Sequence, residues 1–322
     1  MKLRQIPVRL LGALALAFAS FQPVAADELR FSTPTPPPHI FTKMANRIAE
    51  GLSEPDGDQV KVFPVNQLGN VPTVLSLLQT GAVEFAIVPV GDLANRDPSF
   101  YGWFLPFQFD SLADASAAAS SQPALDMLAR LDAQGIKGLG YVFPGQRHIL
   151  AKGEIATVAD LEGLKIRAFP NDIFRAFWSE LDAAPTALPL PEIMPSLVTG
   201  VIDAVDVDID IVFGLKMHEQ APNLVLTNHM AFPGAVLASA RWWSGLDADR
   251  QQEITEAVAE AQAWAIEEQT AGEVALLGRL KEAGANVTTL EDEALFSAGV
   301  TVREAFLSRD PLVAAFYEAT VE

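Results

Sequence analysis

Beyond its N-terminal segment the chain alternates short, unbroken apolar runs with longer stretches whose apolar positions recur at helical spacing. That alternation predicts an α/β fold with largely parallel sheets, because buried parallel strands read as continuous Val, Ile and Leu runs. Strands are predicted at residues 29–33, 59–65, 85–90, 138–143 and 148–152, then at 164–169, 186–190, 201–209, 224–227 and 235–240. Helices are predicted at 41–52, 72–79, 172–181 and 192–198, with an Ala-rich helical region at 112–132. The helix at 72–79 opens with proline, whose missing N–H costs little in a first turn. Residues 247–282 contain few breakers and predict one very long helix or two nearly continuous ones, long enough to lie across two lobes.

One pattern occurs twice. Residues 77–88 read LLQTGAVEFAIV and residues 196–207 read SLVTGVIDAVDV, each a helix end, a Gly turn and a buried strand. A chain built of two similar α/β lobes carries such a unit once per lobe. Ligands of open α/β sheets bind beyond the carboxyl ends of the strands, which would bring residues 88–92 and 206–210 to one cleft.

Residues 1–26 form an address. Lys2, Arg4 and Arg9 precede an apolar stretch from Leu10 to Ser20, and Val24-Ala25-Ala26 supplies the small residues of a secretory cleavage site. Cleavage is expected after Ala26, leaving an exported chain with no direct membrane anchor and a periplasmic location. The 322 residues are 50% hydrophobic with a formal net charge of −19, an acidic balance that argues against nucleic acid and anionic membranes as partners. The absence of cysteine excludes disulfides, thiolate catalysis and Cys-bound metals.

Enzyme signatures are scarce: no nucleophile elbow, phosphate loop, dinucleotide fingerprint or H-E-x-x-H pair is present, and the four histidines are scattered. No catalytic residue and no resident metal or cofactor is expected. Two arginines stand out in this acidic chain. Arg147 opens a strand after Pro144-Gly145-Gln146, and Arg167 lies inside the strand predicted at 164–169, with Phe169 on its face. A planar guanidinium beside a cleft suits capture of an organic acid, and a structural salt bridge is the alternative. The run Asp206-Val207-Asp208-Ile209-Asp210 alternates with period 2, which puts three carboxylates on one strand face. It reads as a solvated strand end, a contact to a ligand amine or hydroxyl, or a cation site, and a ligand-bridging cation stays open. His39, Asn66 and Asp92 are loop positions near the expected cleft.

Several motifs, in this order, resemble the solute-binding proteins of tripartite ATP-independent periplasmic (TRAP) transporters, the DctP family. They are Phe63-Pro64 with Gln67-Leu68-Gly69, Leu78-Gln79-Thr80-Gly81, Leu105-Pro106-Phe107, the DLEGLKIR run at 160–167, and Leu188-Pro189 through Glu192 to Asp203. The resemblance implies a two-lobed α/β periplasmic binding protein with hinge strands and a long C-terminal helix spanning both lobes. It implies lobe I at 27–144 plus 233–272 and lobe II at 145–232 plus 273–322. It further implies closure over a small carboxylate bound by Arg167 and Arg147, with delivery to the cation-driven membrane subunits of a TRAP transporter. A ligand-binding set of Arg167, Arg147, Phe169, Asp206, Val207, Asp208, His39 and Asp92 is expected.

The chain departs from the family pattern where an Asn is common and Val207 stands, and where an aromatic is common and Leu190 and Pro191 stand. A sugar acid fits these losses less well than a small monocarboxylate, with any amine near Asp206, Asp208 or Asp92. An exported two-lobed enzyme, with Asp206 or Asp208 as its acid or base, and a sensor-associated binding protein are the alternative readings.

Overall fold

The computed structural model describes residues 28–53 and 58–321; the predicted leader and its cleavage site lie outside them. The first half runs β1 (Glu28–Ser32), α1 (Ile40–Leu52), β2 (Gln59–Phe63), α2 (Val71–Thr80), β3 (Phe85–Pro89) and α3 (Val90–Ala94). A 3-10 helix, Pro98–Phe104, leads to α4 (Leu112–Ala118), α5 (Gln122–Arg130) and β4 (Ile136–Val142). The second half contains β5 (His148–Ala151), β6 (Lys165–Ala168), α6 (Asp172–Glu180), β7 (Ala184–Ala187), α7 (Leu190–Thr199), β8 (Ala204–Val207), α8 (Ile209–Gly214) and β9 (Asn223–Leu226). The chain ends in β10 (Gly234–Ser239), α9 (Ala240–Trp243), α10 (Ala248–Glu282), β11 (Asn286–Thr289), α11 (Glu293–Leu307) and α12 (Pro311–Val321).

The strands form two sheets, a five-stranded one in the order β2-β1-β3-β10-β4 and a six-stranded one in the order β11-β9-β5-β8-β6-β7. They are mixed rather than largely parallel. β10 runs antiparallel to β3 and β4, and β5 runs antiparallel to β8 and β9. The cause is connectivity: each of these strands arrives from the other lobe across the hinge and inserts into a sheet already oriented by its βαβ units. The two crossing segments are tied together, Gln146 bridging to Ala231 and the Arg147 amide donating to the Met230 carbonyl at 2.7 Å.

The repeated unit folds the same way in both lobes. Gly81 and Gly200 end α2 and α7 at the same left-handed geometry, φ 77 and ψ 18, which a residue with a Cβ adopts at a cost. The Ala82 and Val201 amides then close the turns on Leu77 and Ser196 carbonyls at 2.9 and 3.0 Å. β3 and β8 follow, each paired with a parallel strand on one side and the exchanged antiparallel strand on the other.

The long segment is one helix of 35 residues, N-capped by Asp247 and ending with Arg279 and Lys281 against its negative pole. It packs on α1 and β4 of the first lobe and on α8 and β11 of the second. The C-terminal residues divide differently from the expected 273–322 boundary. α11 lies on α6, but α12 packs on the 3-10 helix and α5 of the first lobe, with Phe316 against Trp103 at 4.5 Å. The apolar face of α12 thus completes the aromatic core around Trp103. The Ala-rich helical region expected at 112–132 is helical and divides into two helices, because Ser111 and Ser121 each cap one.

Candidate ligand-binding site

A cleft of about 550 Å³ lies between the lobes, within the size range of small-molecule sites. First-lobe residues Thr35, His39, Phe41, Asn66, Asn70 and Asp92 form one wall. The other is formed by Arg147, Arg167, Phe169, Leu190, Glu192, Val207, Asp208, Ile211 and Phe232. Seven of the eight residues expected from the sequence therefore line one cavity, and Asp206 lies behind it.

β6 fixes Arg167, which pairs in register with Thr186 of β7 and Val205 of β8. Its Nε donates to the Leu188 carbonyl at 2.9 Å and its Nη1 to the Asp206 carbonyl at 3.3 Å. The guanidinium carbon sits 5.6 Å from the Phe169 ring centre. Among the described residues no carboxylate pairs with it, although it is only 3% exposed. Burial, with the charge of Arg147 added, pushes its pKa down to about 9, so it remains a cation at neutral pH.

Arg147 is in the opposite condition. Its Nε donates to Asp206 Oδ1, its Nη2 to the Asp206 carbonyl and its Nη1 to Asp208 Oδ2 at 3.2 Å, while its charge lies 4.3 Å from the Phe232 ring centre. Asp206 Oδ2 also accepts from Trp178 Nε1 at 2.8 Å and lies 3.3 Å from His229 Nε2. Burial alone would raise the Asp206 carboxyl, but Arg147, His229 and Trp178 outweigh it and hold it below the usual carboxylate range.

The alternating acids do not share one strand face. β8 stops at Val207, Asp208 caps α8 by accepting from the Ile211 amide at 2.9 Å, and Asp210 Oδ2 accepts from the Ile40 amide of the first lobe at 2.8 Å. The D-x-D-x-D spacing suits a strand end and a helix cap equally, and capping prevails. All three acids are buried, which overturns the solvated-strand reading. Asp206 and Asp208 are occupied with Arg147, so of the acids weighed for a ligand amine only Asp92 faces the cleft without a hydrogen bond among the described residues. Burial raises the Asp92 carboxyl to about 7, against the pull of Arg167 and Arg96. His39 caps α1, with Nδ1 accepting from the Phe41 amide at 3.1 Å and Nε2 3.7 Å from Asp208. Among the described residues no group of three or more acids and histidines is disposed to hold a metal ion.

Sequence reasoning missed Trp178 and Phe232, which orient Asp206 and cover Arg147. Neither lies in a motif that singles it out. It also missed the cross-lobe contacts at the cleft edge, where Asn171 Nδ2 donates to the Gly91 carbonyl at 2.9 Å and Asn95 Nδ2 to the Pro170 carbonyl at 3.0 Å. A Cβ on Gly91 would fall 2.5 Å from the Phe169 ring, so that close approach requires glycine.

Two lobes exchanging strands, a helix across both and a charged cleft between them define a binding protein of the periplasmic type. The chain belongs to the bacterial extracellular solute-binding protein family 7, DctP, whose model matches residues 31–305. It is 29% identical over 328 residues to the 2,3-diketo-L-gulonate-binding periplasmic protein YiaO of Escherichia coli, covering 100% of this chain and 99% of that one. It is 31% identical over 284 residues to a solute-binding protein of Sulfitobacter sp. strain NAS-14.1, covering 86% of each. The solved sugar acid binding protein DctPAm of Advenella mimigardefordensis, in complex with galactonate, superposes with a TM-score of 0.87 at 25% identity, over 92% of this chain and 99% of that one. The protein is accordingly a solute-binding protein of the TRAP type, not an enzyme. No helix among the described residues is long and apolar enough to cross a membrane.

Replacing Asp206 by Asn leaves Arg147 short of its main counter-charge. The expected loss is about 3–5 kcal/mol of unfolding free energy at pH 7, read by urea denaturation. Because the folded pKa of Asp206 lies below the unfolded one, its contribution is present above about pH 4 and fades as pH falls further. The gap between wild type and variant should therefore be flat from pH 8 to 5 and close in stronger acid. A gap under about 1 kcal/mol at pH 7 would show that the pair does not hold the cleft floor.

Proposed function

We propose that the protein captures a small organic acid between its lobes by pairing the ligand's carboxylate with Arg167, and delivers it from the periplasm to the cation-driven membrane subunits of a TRAP transporter. The observation that carries this reading is the charge state of the cleft. Arg167 is a buried cation that meets only backbone carbonyls among the described residues, whereas its neighbour Arg147 holds two carboxylates. A buried guanidinium with carbonyl partners alone bears a desolvation cost that a bidentate carboxylate offsets. In the closed cleft, with little water, that pairing is stronger than at a surface. Phe169 and Val207 would flank the ligand, Arg147 would be a second contact, and His39 and Asp208 would brace the wall.

The test is a thermal-shift screen of the chain from Asp27 against organic acids, amino acids and sugar acids. A carboxylate at a hundredfold excess over its dissociation constant should stabilise the fold by about 2.7 kcal/mol. The shift should vanish in Arg167→Ala while the unliganded variant still unfolds cooperatively. Hits that survive that substitution would make the arginine structural.

Asp92 adds a pH dependence whose sign is fixed. With its carboxyl at about 7, a fall from pH 8 to pH 6 protonates it and removes a negative charge facing the bound anion. Affinity for a carboxylate, measured by titration calorimetry, should rise several-fold over that interval and become flat in Asp92→Asn. An affinity that falls toward pH 6 in the wild type would place Asp92 away from the ligand's charge.

A further inference from the structure

Resting on the reading of Arg167 just given, we infer that the ligand is a monovalent acid with an apolar body: one carboxylate carried on an aliphatic or aromatic hydrocarbon frame rather than a dicarboxylate or a polyhydroxy acid. Three independent features of the cleft lead there.

The first is charge. Of the two guanidiniums in the wall, the charge of Arg147 is balanced by Asp206 and Asp208, leaving Arg167 as the cation without a carboxylate partner among the described residues. The remaining charged side chains in the lining, Asp92 and Glu192, are acidic. A second ligand carboxylate would meet no cation and would face like charge.

The second is the supply of hydrogen bonds. The Thr35 hydroxyl bonds Thr42, Asn70 Oδ1 caps α2 through the Thr73 amide, and Asn95 Nδ2 is spent on the Pro170 carbonyl. His39 is engaged with the Phe41 amide and faces Asp208. Backbone donors are scarce as well, since Pro34, Pro72, Pro89, Pro170, Pro189 and Pro191 all line the cleft and proline carries no N–H. Among the described residues the Asn66 side chain, Asn70 Nδ2 and the carboxyls of Asp92 and Glu192 are left without a hydrogen bond, a small set for the several hydroxyls of a sugar acid, and unpaired buried polar groups discriminate strongly against a ligand.

The third is the surface that remains. Phe41, Phe169, Phe232, Val207, Ile211 and Leu190 present hydrocarbon to the cavity. Val207 ends β8 and Leu190 opens α7, the helix after β7, and β8 and β7 are the two strands that flank β6, so the apolar character comes from separate segments.

The experiment is titration calorimetry with the linear acids butanoate, pentanoate, hexanoate and heptanoate, together with hexanamide, norleucine, succinate and galactonate. Burial of each added methylene should tighten binding about fourfold, the ratio equivalent to ~0.8 kcal/mol per CH₂, until the cleft is full. Hexanamide should bind at least a hundredfold more weakly than hexanoate. Val207→Asn should reduce the gain per methylene without abolishing acid binding; Leu190→Ser provides the same readout from the rim should the buried substitution fail to fold. Tighter binding of succinate, galactonate or norleucine than of hexanoate, or a series with no dependence on chain length, would overturn the inference and leave carboxylate capture by Arg167 standing. Equal binding of hexanamide and hexanoate would instead overturn the role of Arg167 itself. Failure of every compound to bind would overturn the apolar-acid assignment.

Discussion

Asp206, a carboxylate sealed from water at the floor of the second lobe, governs the charge of the whole cleft. Its two oxygens hold Arg147, Trp178 and His229, and its backbone carbonyl receives both Arg147 and Arg167. Burying so much polarity is costly, and the arrangement persists because each charge has a partner except one. With Arg147 neutralised by Asp206 and Asp208, the positive potential of the cleft is concentrated on Arg167. One residue thereby sets both the stability of the floor and the sign of what the cleft attracts.

The same residue links site to fold. Asp206 lies on β8, the central strand of the unit that the chain repeats, and the strand direction is fixed by the Gly200 turn before it. In the first lobe the matching turn at Gly81 directs β3 toward Pro89 and Asp92, on the other wall of the cleft. One copy of the helix-turn-strand unit thus leads to Asp92 on the first-lobe wall, and the other carries Asp206 beside Arg167 of the neighbouring β6 on the second. The Ile40 amide on Asp210 and the Asn171 amide on the Gly91 carbonyl add hydrogen bonds between the lobes at separate points around the cavity.

Much of this was legible in the sequence because its signals are local. Apolar runs located nearly every strand, and the duplicated T-G turns revealed the two-lobed plan. Arg167 was conspicuous as a charge inside an apolar strand. What was not legible depends on partners distant in sequence. Nothing near Arg147 indicates that Asp206 and Asp208 consume its charge, and nothing near Trp178 or Phe232 marks them as supports of that pair. The period-2 run of acids carried a false strand signal because Asp208 both follows a strand and caps a helix. The mixed strand directions and the docking of α12 on the first lobe arise from chain crossings, which no local pattern encodes.

Where the ligand's charge rests decides the role of Arg167. A crystal structure of the processed protein with a bound acid measures this directly. The account predicts both carboxylate oxygens within hydrogen-bonding distance, about 3 Å, of the terminal nitrogens of Arg167, with Arg147 still held by Asp206 and Asp208. A carboxylate bound elsewhere in the cleft, with Arg167 still contacting only the Leu188 and Asp206 carbonyls, would contradict it.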